Sequence, residues 1–303
     1  MVTVEATKAF HAFSPDLTPA ARVEQGEQLH LITQDCFGNQ LHSAEDKLDG
    51  LDWSTINPAT GPVYIEGVRA GDIVRIQILS LTPTGHATMV AIPGDGALAD
   101  RIVDGETTIV ENLPGAIILP TARGPLRLEA VPMIGVIGLA PASGAVPNGT
   151  PGVHGGNMDC RLIGAGATVY FRAEVDGGLF GCGDVHSLMA DGEVLVCGAE
   201  TPAEVTVVPQ VVQTKTLPVP FFENADIYAA IASASTTDAA YKLATDNMHT
   251  FLTEIVGLTV GDAGRLMSLV GDLKFCQVVD PQVTVRAEFP KAVLADLGFT
   301  EIA

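Results

Sequence analysis

Residues 72–81 read DIVRIQILSL, and their spacing decides what kind of fold the chain adopts. Apolar and polar positions alternate, so Ile73, Arg75 and Gln77 fall on one face and Val74, Ile76 and Ile78 on the other. A period of two belongs to a strand with one covered face, because successive side chains of extended backbone point to opposite sides. The neighbouring stretches repeat the theme: EVLVCGAE (193–200) and EVTVVPQVV (204–212) read as further half-buried strands, and GAIILP (115–120) as a strand covered on both sides. From residue 20 to about 210, short runs rich in Val and Ile are punctuated by Gly, Pro and Asp, the composition of a β-rich domain.

The pattern changes after Pro220. In TTDAAYKLATDNMHTFLTEIVG (236–257) the apolar residues Ala240, Leu243, Ala244, Met248, Phe251, Leu252, Ile255 and Val256 follow helical spacing up to Gly257, with Thr237 or Asp238 as the expected cap. A second helix is expected from Thr259, with Asp262 at its positive end and Gly271 after its last apolar residues. Strand character returns in LKFCQVVDPQVTVRAEF (273–289), and PKAVLADLG (290–298) starts a short helix behind a proline. The expected fold is therefore mainly β with a smaller α/β C-terminal part. A sandwich- or barrel-like domain over residues 1–215 carries the site, and an α+β lobe of two helices then strands covers 216–303.

Composition excludes several function classes. Sixteen Lys and Arg against a net charge of −20 repel phosphate backbones and anionic membrane surfaces, so no nucleic-acid or membrane partner is expected. The most apolar run, residues 130–146, is broken by Pro132, Pro141 and glycines and is too interrupted to span a bilayer. The amino terminus lacks a signal-peptide pattern, which places the expected protein in the cytoplasm. The five cysteines are odd in number and lack CxxC spacing, as reduced buried thiols do. None of the glycine-rich segments IPGDGALAD, GVHGGN and GAGAT contains GK[ST] or opens a helix after a strand, so nucleotide binding is not expected.

Two stretches concentrate the chemistry. In GCGDVH (181–186), Asp184 and His186 are two apart and would share one face of a strand, where a carboxylate and an imidazole can hold one zinc-like ion. In VHGGNMDC (153–160), His154, Asn157 and Asp159 surround two glycines; Glu193, Glu200 and the early Asp35 add carboxylates. Each has a plainer reading. Asp159 and Asp35 alone would close turns, Asn157 would fill a left-handed backbone position, and Glu193 and Glu200 would trim a hairpin and a strand end. Their crowding between residues 154 and 200 among small residues favours a metal hydrolase. Two other readings stay open: thiol catalysis by Cys160 or Cys182 beside His154 or His186, and a noncatalytic metal- or ligand-binding β-domain.

The ordered series PGVHGGNMD (151–159), GDVH (183–186), GE (192–193) and GAE ending at Glu200 resembles the acetamidase/formamidase family. ITQDCFG (32–38), IPGDGAL (92–98) and DLKFCQVVDPQVTVRAEFPK (272–291) extend the resemblance over almost the whole chain. It implies a metal-dependent amidohydrolase that cleaves formamide, acetamide or a related short neutral amide to carboxylate and ammonia, and a homo-oligomer. Carried over by motif, it implies Asp35, His154, Asn157, Asp159, Asp184, His186 and Glu200 as site residues. The expected arrangement is a divalent metal, zinc, held chiefly by Asp184, His186 and Asp159 or His154, with Glu200 or Glu193 moving the proton, Asn157 stabilising the oxyanion and Asp35 as a further catalytic candidate. YFRAEV (170–175) and LMADGE (188–193) depart from the family's usual aliphatic-Pro-Val strand and Gln-Gly-Asp-Gly-Glu turn, which bears on the choice of amide.

Overall fold

The computed structural model describes residues 1–214 and 216–302. DIVRIQILSL forms most of strand Ile73–Pro83, which lies within a nine-stranded sheet between Ala203–Val212 and Thr168–Arg172. Its alternation holds through Ile78 and then changes phase. Ile78 pairs with Val207 and Ser80 with Thr206, so Leu79 is an extra residue; beyond this bulge the buried position is Leu81. Ile73, on the nominally polar face, is also buried, because the C-terminal apolar cluster covers that end of the sheet.

A second sheet of eleven strands faces the first. Val74, Ile76 and Ile78 from one sheet and Ile134, Ile137, Phe180 and Cys182 from the other share a single apolar core, so the architecture is a β-sandwich. The strand that organises the second sheet is Phe180–His186. One edge pairs with Met133–Gly138 from Gly181 to Gly183 and again at Val185 and His186, whereas the other pairs first with Ala59–Ile65 and then, at Val185 and His186, with Glu200–Thr201. Asp184 sits at the seam between those two neighbours and has a left-handed φ of 54°.

Residue 215, the expected domain boundary, lies outside the described residues, and the nine-stranded sheet runs from one side of it to the other. Thr168–Arg172 pairs with Phe221–Glu223, and the sheet continues through Ile227–Ala234 and Val283–Pro290 to an edge at Asp272–Gln277. Two strands therefore precede the C-terminal helices and two follow them. Helix Thr237–Thr250 widens into a π-helical turn at Phe251–Ile255 and is followed by Val260–Val270. The first cap is Thr236, whose hydroxyl accepts from the Ala239 N–H, one residue before the expected candidates. Ala240, Ala244, Met248, Phe251 and Leu252 pack against Tyr228, Phe221 and Phe289. Among the described residues no helix is long and apolar enough to cross a membrane.

One expected strand is absent. EVLVCGAE contributes only its last residue to a strand, Glu200–Thr201; before it, Glu193 and Val196 adopt positive φ values of 47° and 83°. The reason lies far away in the sequence: Gly192 N–H donates to Cys276 O at 2.8 Å and Val278 N–H to Gly192 O at 3.3 Å. These bonds hold residues 190–198 as a loop against the edge strand instead of in a ladder of their own.

Candidate active site

The turn in VHGGNMDC requires its glycines. Gly155 and Gly156 have φ values of 101° and 78°, and a Cβ on Gly155 would lie 2.1 Å from Ile137 O. The turn returns the chain beside Met133–Gly138, pairing Asn157 with Val136, and the following backbone puts Asp159 into the interior. A third glycine makes the site's floor. A Cβ on Gly135 would meet Asp159 Oδ1 at 2.4 Å, Asp184 Oδ2 at 2.6 Å and Asn157 Oδ1 at 3.0 Å, so three side-chain oxygens converge over a position that carries only hydrogen.

His186 and Glu200 are cross-strand partners, which puts both side chains on one face. His186 Nε2 lies 3.1 Å from Glu200 Oε2, 3.5 Å from Asp159 Oδ1 and 3.6 Å from Asp184 Oδ1, and its Nδ1 lies 3.9 Å from Glu193 Oε1. Gly198 permits this approach, since a Cβ there would fall 2.5 Å from His186 Nδ1. The Gly198 N–H donates to Glu200 Oε1 at 2.7 Å, leaving Oε2 turned to the cluster.

Two members of the cluster were not anticipated from the sequence. Cys36, on the turn after Leu29–Thr33, offers its sulfur beside Asp184 and Glu200. Asp280 lies beyond the edge strand, on a turn shaped by Gln277 Oε1, which accepts from the N–H groups of Val279 and Asp280 at 2.8 and 2.9 Å. Both residues stand inside motifs that carry the resemblance, ITQDCFG and VVDPQV, which is the signal that points to them. Cys36, Asn157, Asp184, Glu193, Glu200 and Asp280 together line one cavity of about 110 Å³, roofed by Phe37, Trp53, Ile56, Val90, Ile92 and Val196.

Not every candidate joins the cluster. Asp35 closes the turn before Cys36: its Oδ1 accepts from Phe37 N–H at 3.0 Å and Asn39 N–H at 2.7 Å. His154 is buried edge-on against Phe13 at 5.4 Å, and burial lowers its pKa to about 4, which keeps it neutral. Its ring belongs to neither group of converging donor atoms, Asp159–His186–Glu193 or Cys36–Asp184–Glu200. Cys160 and Cys182 are fully buried away from that lining, and burial raises the Cys182 thiol to about 12.

The electrostatics of the cluster are one-sided. Burial, reinforced by neighbouring carboxylates, raises Asp159, Glu193 and Asp280 well above the usual range. Burial likewise lifts Glu200 to about 7, with the opposing pull of His186 limiting the rise. For His186 burial acts against the imidazolium, but Glu200 and Asp184 outweigh it and raise the pKa well above the ordinary value. The cluster has more acid than its one imidazole can balance. Both Asp159 oxygens, Glu200 Oε2, Asp280 Oδ2 and His186 Nδ1 are buried without a hydrogen-bond partner. Such groups are costly to bury unless a cation answers them. The donors fit that need: one ligand atom each from Asp159, His186 and Glu193 lie within 4.8 Å of one another, as do those from Cys36, Asp184 and Glu200.

Comparisons with known proteins place the chain among amidases of one family. An acetamidase from Bacillus halodurans is 38% identical and superimposes with a TM-score of 0.95 over 98% of this chain and 100% of its own. A protein described as a predicted acetamidase/formamidase from Thermoanaerobacter tengcongensis is 37% identical, with a TM-score of 0.94 over 99% of each chain. A formamidase from Methylophilus methylotrophus is 27% identical over 61% of this chain and 59% of its own length, and the chain spans less than two thirds of each curated relative it matches. The sequence model of the Acetamidase/Formamidase family matches residues 2–148 and 140–265, and the chain belongs to that family.

Proposed function

We propose that the chain is a metal-dependent amidohydrolase that cleaves formamide, acetamide or a related short neutral amide to carboxylate and ammonia, with zinc as the ion. The observation that carries this reading is the convergence of buried, unpartnered Asp159, His186 and Glu200 atoms beside Asp184, Glu193 and Cys36. Carboxylate, imidazole and thiolate donors suit zinc. When bound, such an ion supplies Lewis acidity and brings water close to deprotonation at neutral pH.

The residues divide the remaining work. Asp159, Asp184, His186 and Glu193 hold the centre, with Cys36 completing it on the Glu200 side. Glu200, whose Oε1 is fixed by the Gly198 N–H and whose Oε2 faces the cluster, is poised to take a proton from water and return it to the departing nitrogen. Water adds across the C–N bond, giving the acid and ammonia. Asn157 faces the cavity and can donate from its amide nitrogen to the developing oxyanion. In this reading Asp35 holds the turn that presents Cys36, and His154 packs the turn behind Asn157.

Elemental analysis combined with ammonia-release assays on wild type and Asp184→Ala tests the proposal. Bound divalent metal and ammonia from formamide or acetamide are expected in the wild type, and loss of both in the variant. A variant that keeps its metal and full activity would overturn the assignment. A metal-loaded wild type silent on a panel of small amides would favour a binding module.

A further inference from the structure

We infer that Trp53 limits the length of the acyl group that the cavity accepts, a step that rests on the amidohydrolase reading. The cavity is two-sided. Its carboxylate floor is almost fully buried, with Asp184 2% and Glu200 1% exposed, whereas Trp53, at 43%, is the one exposed residue among those lining it. A side chain that both lines the cavity and meets solvent stands at its mouth. At about 110 Å³ the space is well below the roughly 300–1,000 Å³ of pockets that take drug-sized ligands. An amide group directed at the floor has its acyl tail directed toward the indole.

The turn that carries the indole is braced on several sides. Trp53–Thr55 is one 3-10 turn, opened by Asp52, whose Oδ1 accepts from Ser54 N–H at 3.0 Å. Gln40 braces it from across the strap: its Oε1 accepts from Asp52 N–H at 2.9 Å, while its Nε2 donates to Phe37 O at 2.8 Å and Thr55 Oγ1 at 3.3 Å. Asn57 N–H, just beyond, donates to Cys36 O at 2.7 Å, tying the turn to the site itself. A bulky, flat side chain on a braced turn acts as a fixed stop rather than a mobile cover.

The test is a chain-length series of acetamide, butyramide and hexanamide, hydrolysed by metal-loaded wild type, Trp53→Phe and Trp53→Ala. The readout is the ratio of kcat/KM for hexanamide to that for acetamide within each protein, so a loss of folded enzyme cancels. The ratio is expected to climb in the order Trp, Phe, Ala, by about tenfold or more at the end, the effect of roughly 1.4 kcal/mol of relieved crowding. An unchanged ratio overturns the inference. A second readout needs no turnover: Trp53 is the only tryptophan in the chain, so its emission reports on the mouth alone. Hexanohydroxamic acid is expected to shift that emission and acetohydroxamic acid to leave it unaltered; no shift with the long chain overturns the contact. If the wild type releases no ammonia from any amide while the emission still responds, the hydrolase reading fails and the placement of Trp53 stands.

Discussion

Arg286 and His186 are 2% and 1% exposed, and each is surrounded by carboxylates, yet their surroundings are built on opposite rules. The Arg286 guanidinium meets Asp191 through two parallel bonds of 2.8 and 2.7 Å and Glu288 through a third of 2.6 Å, and Lys274 answers the other Glu288 oxygen at 2.7 Å. With Arg161 3.9 Å from Asp191 and Asp272 3.3 Å from Lys274, three cations face three anions and the charges balance. Around His186 a single imidazole faces Asp159, Asp184, Glu193 and Glu200, and several of their atoms bond to nothing. Only one residue separates Asp191 from Glu193, so the two clusters share a loop. The first closes the fold on itself; among the described residues the second has only its one imidazole to set against four carboxylates, the excess that the proposed metal would answer.

Breaking the balanced cluster should cost most in stability. Arg286→Met removes the cation that Asp191 and Glu288 share, and a loss of about 3 kcal/mol is expected from chemical denaturation, the lower end of the range for a broken buried pair because Lys274 still answers Glu288 and Asp191 retains some solvent. The same change made in the acid-rich cluster should act in reverse. Asp184→Asn removes one of the four carboxylates that crowd His186, so the metal-free protein is expected to be no less stable in the same titration. Ammonia release should nevertheless fall by more than the roughly 10–100-fold that follows loss of a supporting partner of a metal site.

A pH series sharpens the contrast further. The folded Glu200 has a pKa of about 7, above its unfolded value, so the folded state keeps a proton that the unfolded chain releases. That stability is fully present below the unfolded pKa and is lost as pH rises toward about 7, by up to about 1.4 kcal/mol per pH unit for one such group. Thermal melting of metal-free protein should therefore drop from acid to neutral pH, and added zinc should remove the dependence; a flat profile without metal would contradict the reading. The smallest effects belong to the thiols outside the cavity. Cys160→Ser and Cys182→Ser are expected to hold ammonia release within about fivefold of wild type, the scale of about 1 kcal/mol.

The difference between the clusters also explains what the sequence disclosed. Asp184 and His186 were legible because two-residue spacing on a strand puts both on one face, and His186 meets Glu200 through an ordinary cross-strand pair. The apolar alternation of residues 72–78 and the helical spacing after Thr236 were legible for the same reason, being local periodicities. Asp280 was not: its place depends on Gly192 bonding to Cys276 and Val278, a contact between segments more than eighty residues apart. The loop at residues 193–198 misled because Val, Leu and Val in succession favour extended backbone, while those distant bonds bend it. His154 shows the reverse case: it is close to Asn157 and Asp159 in the chain, yet its ring packs against Phe13 and joins neither group of converging donor atoms.

Gly135 carries a consequence for how this site tolerates change. Its neighbours Met133, Ile134, Val136 and Ile137 are all fully buried, so the strand itself welcomes bulk. At position 135 a single methyl group would occupy the space where Asp159, Asp184 and Asn157 oxygens meet. The space is thus defined by an omission, and the most conservative of all side-chain additions, one that alters neither charge nor polarity, would push these oxygens apart and close the place proposed for the metal while leaving every donor in the sequence.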